Sequence, residues 1–389
     1  MKYSTIVWKD LSATATIASF EPAAGVAEHH IMIQLSDRRL PVATQYKNIA
    51  TATSRLQEAE TFRQTLPVFK RYFVSDAANQ QVFVSNGDGN ENGNEDGATA
   101  VSIVQQPPLN GTKVSVWLYL AGDGKLAKDE VGTTLLERPS YQHLYNTQLH
   151  RPVGDEYAET AHIFRTYTDV LKQRHCTLKA HCIRTWLYVQ GVDIHYAGMV
   201  KARIECFDRE GLTNETHYIA STGIEGRHPN PQTLVQMDAY AVNGILPEQI
   251  KHLYARTHLN PTAEYGVTFE RGTAVDYGDR RHVFISGTAS IDNKGEIVHL
   301  LNIEKQMERT MENISVLLSE AQTDTADIAQ MIIYLRDMAD YYVVSTYFEK
   351  HYANIPSVIV LAPVCRPGWL IEVECIAIKP IEDARFARF

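Results

Sequence analysis

With 389 residues, 44% of them apolar and 21% charged, the chain has room for two or three ordinary domains with sizeable cores. A net charge of -9, from 46 acidic against 37 basic side chains, disfavours nucleic acid as a partner, because that binding is driven by Lys and Arg neutralising phosphates. No run approaches the ~20 apolar residues of a membrane-spanning helix, and the start MKYSTIVWKDLSATATI lacks the basic, then apolar, stretch of a secretion signal.

Residues 1–150 read as a β-rich region. Gln81–Val84, Ala100–Val104 and Lys113–Ala121 have the short apolar character of strands. Between the first two, Ser85–Gly97 (SNGDGNENGNEDG) has no apolar period and reads as a polar surface loop. Five cysteines, Cys176, Cys182, Cys206, Cys365 and Cys375, form an odd set without CxxC spacing. They read as reduced thiols of a cytoplasmic protein and offer no zinc site.

The remainder contains an internal repeat, which divides it into units at 151–250 and 251–389. TDVLKQRHCTLKAHCIRTWLYVQGVDIHYAGMV from Thr168 aligns without a gap with ISVLLSEAQTDTADIAQMIIYLRDMADYYVVST from Ile314. Val170 falls on Val316, Leu171 on Leu317, Tyr188 on Tyr334 and Tyr196 on Tyr342. Closing strands correspond too, Leu234–Val242 with Leu370–Ile378. In the second copy, His282–Ser286 is a short apolar strand running into a turn over Gly287–Ser290. Glu304–Ala321 is an amphipathic helix with Met307, Met311, Ile314, Leu317 and Leu318 on one face. Ile328–Leu335 reads as a buried strand and Tyr341–Tyr352 as a helix. Strands joined through helices predict an α/β (α+β) fold, a mixed sheet with helices packed on one face, present as two related units.

Residues from about Thr257 to Pro380, with ISG, IIYLRDMADY, YFEKHYANIPS and VECIAI, resemble a RidA/YjgF domain. That family, some of whose members carry the old label endoribonuclease L-PSP, hydrolyses enamines and imines, usually as a trimer with sites between subunits. Over nearly the whole length the chain is similar to the chorismatase family, on QQPPLNG (Gln105–Gly111), RTWLY (Arg184–Tyr188), ASTGI (Ala220–Ile224), ISGTASI (Ile285–Ile291) and VCRPGWLIEVE (Val364–Glu374). Deaminating RidA proteins place an arginine soon after a proline before the last strand. Here that stretch is Pro356-Ser357-Val358-Ile359-Val360, without one.

The chorismatase resemblance implies a cofactor-free and metal-free enzyme acting on a small dicarboxylate, chorismate. Its enolpyruvyl ether would yield pyruvate with a dihydroxycyclohexadienecarboxylate or 3-hydroxybenzoate. The resemblance places the proton donor on Glu372, a role that needs a carboxyl group raised towards neutrality by poor solvation. Glu372 and Glu374, two apart on a strand, share one face. Gln236, at the matching place in the first copy, cannot donate a proton, so one site per chain is expected. Two substrate carboxylates call for arginines; the candidates are Arg366, Arg203 and Arg184. Ser221, Thr222 and Gly223 read as a small-residue turn whose N–H groups suit an anion. Cys365, Gly287, Ala289 and Ser290 are expected to shape the pocket. Two other readings stay open, a RidA-type deaminase and a non-catalytic metabolite-binding protein. Copies are expected to associate through RidA-like sheets.

Overall fold

The computed structural model describes residues 1–87 and 96–389; most of the predicted polar loop, residues 88–95, lies outside them. Three six-stranded mixed sheets follow one another along the chain. The first holds β1 (Lys2–Trp8), β2 (Ala13–Phe20), β3 (Glu28–Leu35), β4 (Thr65–Val74), β5 (Ala100–Gln105) and β6 (Val114–Gly122), with α1 (Val42–Glu58) and α2 (Ala77–Gly87). The second holds β7 (Lys125–Lys128), β8 (Thr134–Glu137), β9 (Gln142–His150), β10 (Cys182–Val189), β11 (Ala220–Glu225) and β12 (Val235–Asn243), with α3 (Glu156–Lys172), α4 (Leu178–His181) and α5 (Val192–Arg209). The third holds β13 (Ile250–Leu253), β14 (Gly272–Asp276), β15 (Arg280–Ala289), β16 (Ile328–Leu335), β17 (Ser357–Leu361) and β18 (Ile371–Pro380), with α6 (Ile303–Glu320) and α7 (Tyr341–His351).

Strand order is the same in all three sheets: β1-β2-β3-β6-β4-β5, β7-β8-β9-β12-β10-β11 and β13-β14-β15-β18-β16-β17. Each contains one parallel pair, β4 with β5, β10 with β11 and β16 with β17, and a helix makes the crossover that a parallel pair requires. The molecule therefore carries three RidA-like units where the sequence predicted two beside a β-rich region. The boundary expected at residue 150 moves to the turn after Gly122, because β7, β8 and β9 pair into the second sheet. The strand predicted at Gln81–Val84 lies inside α2. A short apolar run does not distinguish strand from buried helix, and here Phe83 stacks on Tyr46 of α1.

Local chemistry accounts for the helices that frame the later site. Asn302 caps α6 by accepting from the Lys305 N–H at 3.0 Å, and Asp155 caps α3 by accepting from the Ala158 N–H at 2.8 Å. Met307, Met311, Ile314, Leu317 and Leu318 of α6 are all buried against its own sheet. Helices thus cover one face of each sheet. The opposite faces meet in the middle, where Phe69 and Trp117 of the first unit, Trp186 and Tyr240 of the second, and Phe284 and Ile376 of the third come together.

Sheet contacts close a ring. β5 meets β9, β11 meets β15, and Gln34 of β3 donates to the Ser357 carbonyl of β17 at 2.9 Å. Near the ring's centre, Arg71 sits among the rings of Phe69, Trp117, Trp186 and Tyr188, 4.5–5.5 Å from their centroids. Its guanidinium pairs with Asp238 at 2.9 Å, both side chains being fully buried. An aromatic-lined central cavity touches all three units, but its carboxylates are occupied. Asp238 accepts from Arg71, Ser102 and the Gln148 N–H, and Glu28 accepts from Arg280 and Tyr119 and meets His282. Among the described residues, no helix is long and apolar enough to cross a membrane.

Candidate active site

A cavity opens between the second and third units. From the second come Tyr196 and Arg203 on α5 and Ser221, Thr222 and Gly223 on β11. From the third come Val267, Phe269 and Arg271 ahead of β14, Gly287 and Ala289 on β15, Ile291 beyond it, Cys365, Arg366 and Trp369 in the segment before β18, and Glu372 on β18.

Glu372 is 5% exposed. Burial first, and then the charge of Glu374, push its carboxyl up to about 8, against the pull of Arg184 and Arg271. A carboxylic acid that stays protonated at neutral pH is what proton donation to carbon requires. β18 holds it between β15 and β16, opposite Ala289 and Tyr334. Gly287, at an irregularity in β15 between Ile285 and Thr288, gives its carboxyl room: a Cβ there would lie 2.0 Å from Oε1.

Arg203 is 1% exposed, and its Nε donates to Thr268 Oγ1 at 3.2 Å. Arg271 donates to the Asn260 carbonyl at 3.1 Å and to Asn260 Oδ1 at 3.2 Å. The Arg366 guanidinium lies 4.9 Å from the Trp369 ring centroid. Three cations thus border one cavity with one acid on its wall. Burial, followed by the Glu372 charge, pushes the Cys365 thiol up to about 12, so it faces the cavity as a neutral, soft side chain rather than a thiolate. Among the described residues no three His, Cys, Asp or Glu side chains gather to hold a metal ion.

Four expectations need correction. Arg184 does not line the cavity: its guanidinium is spent on Glu374 Oε2 at 2.8 Å, Thr222 Oγ1 at 2.5 Å and Ser286 Oγ at 3.3 Å. Ser290 also stands behind the wall, its hydroxyl donating to the Val298 carbonyl and its own carbonyl accepting from the Trp369 indole. Ser221, Thr222 and Gly223 form part of β11 rather than a turn, and the Ser221 N–H already donates to Ser286 Oγ at 2.9 Å. Gly287 and Ala289 likewise belong to β15.

Residues 272–379 match the family model described as Endoribonuclease L-PSP. Over 99 residues the chain is 32% identical to a RutC family protein of Saccharolobus solfataricus, covering 25% of this chain and 79% of that one. Over 100 residues it is 32% identical to a RutC family protein of Pyrococcus abyssi, covering 25% and 78%. The chain belongs to the RutC family. The family match contains Gly287, Ala289, Cys365, Arg366 and Glu372, whereas Tyr196, Arg203 and Thr222 come from a unit outside it. A crystal structure of a chorismatase extends the likeness to 82% of this chain and 95% of that one, with a TM-score of 0.63. At 16% identity, what the two share is the fold.

Sheet registers show how this RutC family protein differentiates its three seams. The penultimate residues of β4, β10 and β16 are Phe73, Tyr188 and Tyr334, and they pair with Ser115, Gln236 and Glu372. Only the third position bears an acid. Two residues further on stand Trp117, Asp238 and Glu374; Asp238 meets Ser102 on the first unit's β5, and Glu374 meets Thr222 on the second unit's β11. Ser102 donates to Asp238 at 2.5 Å as Thr222 donates to Glu374 at 2.5 Å. Sequence reasoning missed Arg271, Tyr196 and Phe269. Trp369 lay inside a quoted motif, but nothing in its spacing marked it as lining.

Proposed function

We propose that this chain hydrolyses the enol ether of chorismate, with Glu372 as general acid. The observation that carries the reading is a buried glutamic acid, its carboxyl pushed up to about 8, on the wall of a cavity bordered by Arg203, Arg271 and Arg366. Chorismate has two carboxylates, and charge-assisted bonds from arginines suit both. Glu372 gives its proton to the methylene carbon of the enolpyruvyl group, leaving an oxygen-stabilised cation at the adjacent carbon. Water adds there and loses a proton to the Glu372 carboxylate. The resulting hemiketal collapses by breaking its bond to the ring oxygen, which gives pyruvate and a dihydroxycyclohexadienecarboxylate. Attack by the neighbouring ring hydroxyl, in place of water, on the ring carbon that bears the ether would expel pyruvate directly and return the hydroxyl proton to the Glu372 carboxylate. Opening of the resulting epoxide with aromatisation would give 3-hydroxybenzoate, with no water taken up or lost. Cys365 and Ala289 border the space where these routes diverge.

The test is incubation of the purified chain with chorismate, pyruvate being measured by coupled reduction and the ring product by chromatography. Pyruvate release that is abolished by Glu372→Gln is the expected result. No pyruvate above that control overturns the proposal.

A further inference from the structure

We infer that Glu374, which does not border the cavity, is a positioning residue that acts with burial to hold the proton on Glu372, and that the second unit supplies the donors that hold Glu374 as an anion. The inference deepens the proposed function and rests on Glu372 being its acid.

Hydrogen-bond chemistry fixes the charge of Glu374. Trp186 Nε1 donates to its Oε1 at 2.7 Å, and Arg184 donates to its Oε2 at 2.8 Å. Neither group can accept. Thr222 Oγ1 receives from Arg184 at 2.5 Å and from the Gly287 N–H at 2.9 Å, so its own proton points to Glu374 Oε2, 2.5 Å away. Three donors converge on a carboxyl that is 3% exposed, and a protonated Glu374 would turn a fourth proton into them.

That anion stands two residues from Glu372 on the same face of β18, and both side chains are buried, where charges interact more strongly than in water. The charged and titratable groups around Glu372 are Glu374 on its own strand, Arg184 on β10, Arg271 ahead of β14, Cys365 and Arg366 in the segment before β18, Arg203 and Tyr196 on α5, and Tyr334 on β16. Cations outnumber anions here and pull the Glu372 carboxyl down; burial opposes them first and Glu374 second, so losing the Glu374 charge brings the carboxyl down towards neutrality. The Arg184–Glu374 pair reverses that balance locally because its negative end is the one on β18. The 2.9 Å bond from Gly287 to Thr222 adds a geometric link, since Gly287 also makes the space for the Glu372 carboxyl.

The experiment has two independent readouts. One is the alkaline limb of kcat/KM for chorismate; the other is direct titration of the Glu372 carboxyl by carbon-13 NMR of carboxyl-labelled protein, assigned by the resonance lost in Glu372→Gln. Glu374→Gln should move both the limb and the titration to lower pH by at least one unit, whereas Arg184→Gln should move both upwards. Glu374→Asp should restore the wild-type position. A purely structural pair would lower turnover in both variants without opposite displacements. If either single variant fails to fold, the double variant Glu374→Gln/Arg184→Gln removes both charges and should shift the titration downwards by less than Glu374→Gln alone. An unmoved titration, or the same direction for both single variants, overturns the inference. Absence of chorismate turnover in the wild type would instead overturn the proposed function, and the NMR titration would still decide the role of Glu374.

Discussion

The Cβ position of Gly287 lies 2.0 Å from Oε1 of Glu372, a separation that no real pair of atoms occupies without bonding. Gly287 therefore acts as the space into which the acid is folded. Gly287→Ala should displace the carboxyl and lower kcat for chorismate at least about 100-fold, since small misplacements of reacting groups have effects of that size. The overpacking should cost about 1–3 kcal/mol. Steady-state kinetics beside a thermal melt separate the two effects; undiminished kcat would show that the carboxyl has another resting place.

Glu372 is itself a destabilising element at neutral pH. Its folded-state value near 8 exceeds the ordinary 4.5, so between those values the folded chain binds more protons than the unfolded chain. Stability therefore falls as pH rises through that window and levels off above it. Glu372→Gln should melt higher than wild type at pH 8, by an amount on the order of a few kcal/mol, and the gap should shrink towards pH 4.5. A gap independent of pH would contradict the burial account.

Arg203 and Arg271 predict a charge-geometry effect. Lysine keeps the charge but loses the planar fork. Arg203→Lys and Arg271→Lys should each lower kcat/KM for chorismate about 10- to 100-fold, the equivalent of about 1.5–3 kcal/mol for a bond to a charged group. The loss should lie mainly in KM. Unchanged KM in both would remove the arginines from substrate binding.

Arg71 and Asp238 make a comparable pair at the seam between the first and second units, away from the acid. Arg71→Met leaves Asp238 buried with Ser102 and the Gln148 N–H as its remaining donors, and should destabilise the chain by about 3–5 kcal/mol. A drop in Tm of less than a few degrees would mean that water reaches Asp238.

Much of the last unit was legible in the sequence because its periodicities are strong. Ile328–Leu335 is wholly buried as a strand, and the apolar face of α6 recurs at three and four residues. The repeat also read true at β10 and β16, whose ends correspond residue for residue. The first unit stayed hidden because α1 is rich in polar and small residues, Val42-Ala43-Thr44-Gln45, and its buried face of Tyr46, Ile49, Thr53 and Leu56 mixes chemistries. Arg271 was out of reach for another reason. It lies about a hundred residues before Glu372 in an unpatterned segment, and only the pairing of β14 with β15 brings it to the cavity. Arg184 was misread because a buried arginine looks the same in sequence whether it faces a ligand or Glu374.

The ring of three sheets on one polypeptide has a genetic corollary. In an assembly of identical subunits, a codon change at a seam is repeated at every seam. Here serine, glutamine and glutamic acid occupy the three matching places at Ser115, Gln236 and Glu372, each encoded once. Each seam can therefore drift, acquire or discard chemistry on its own, while the other two go on holding the ring together.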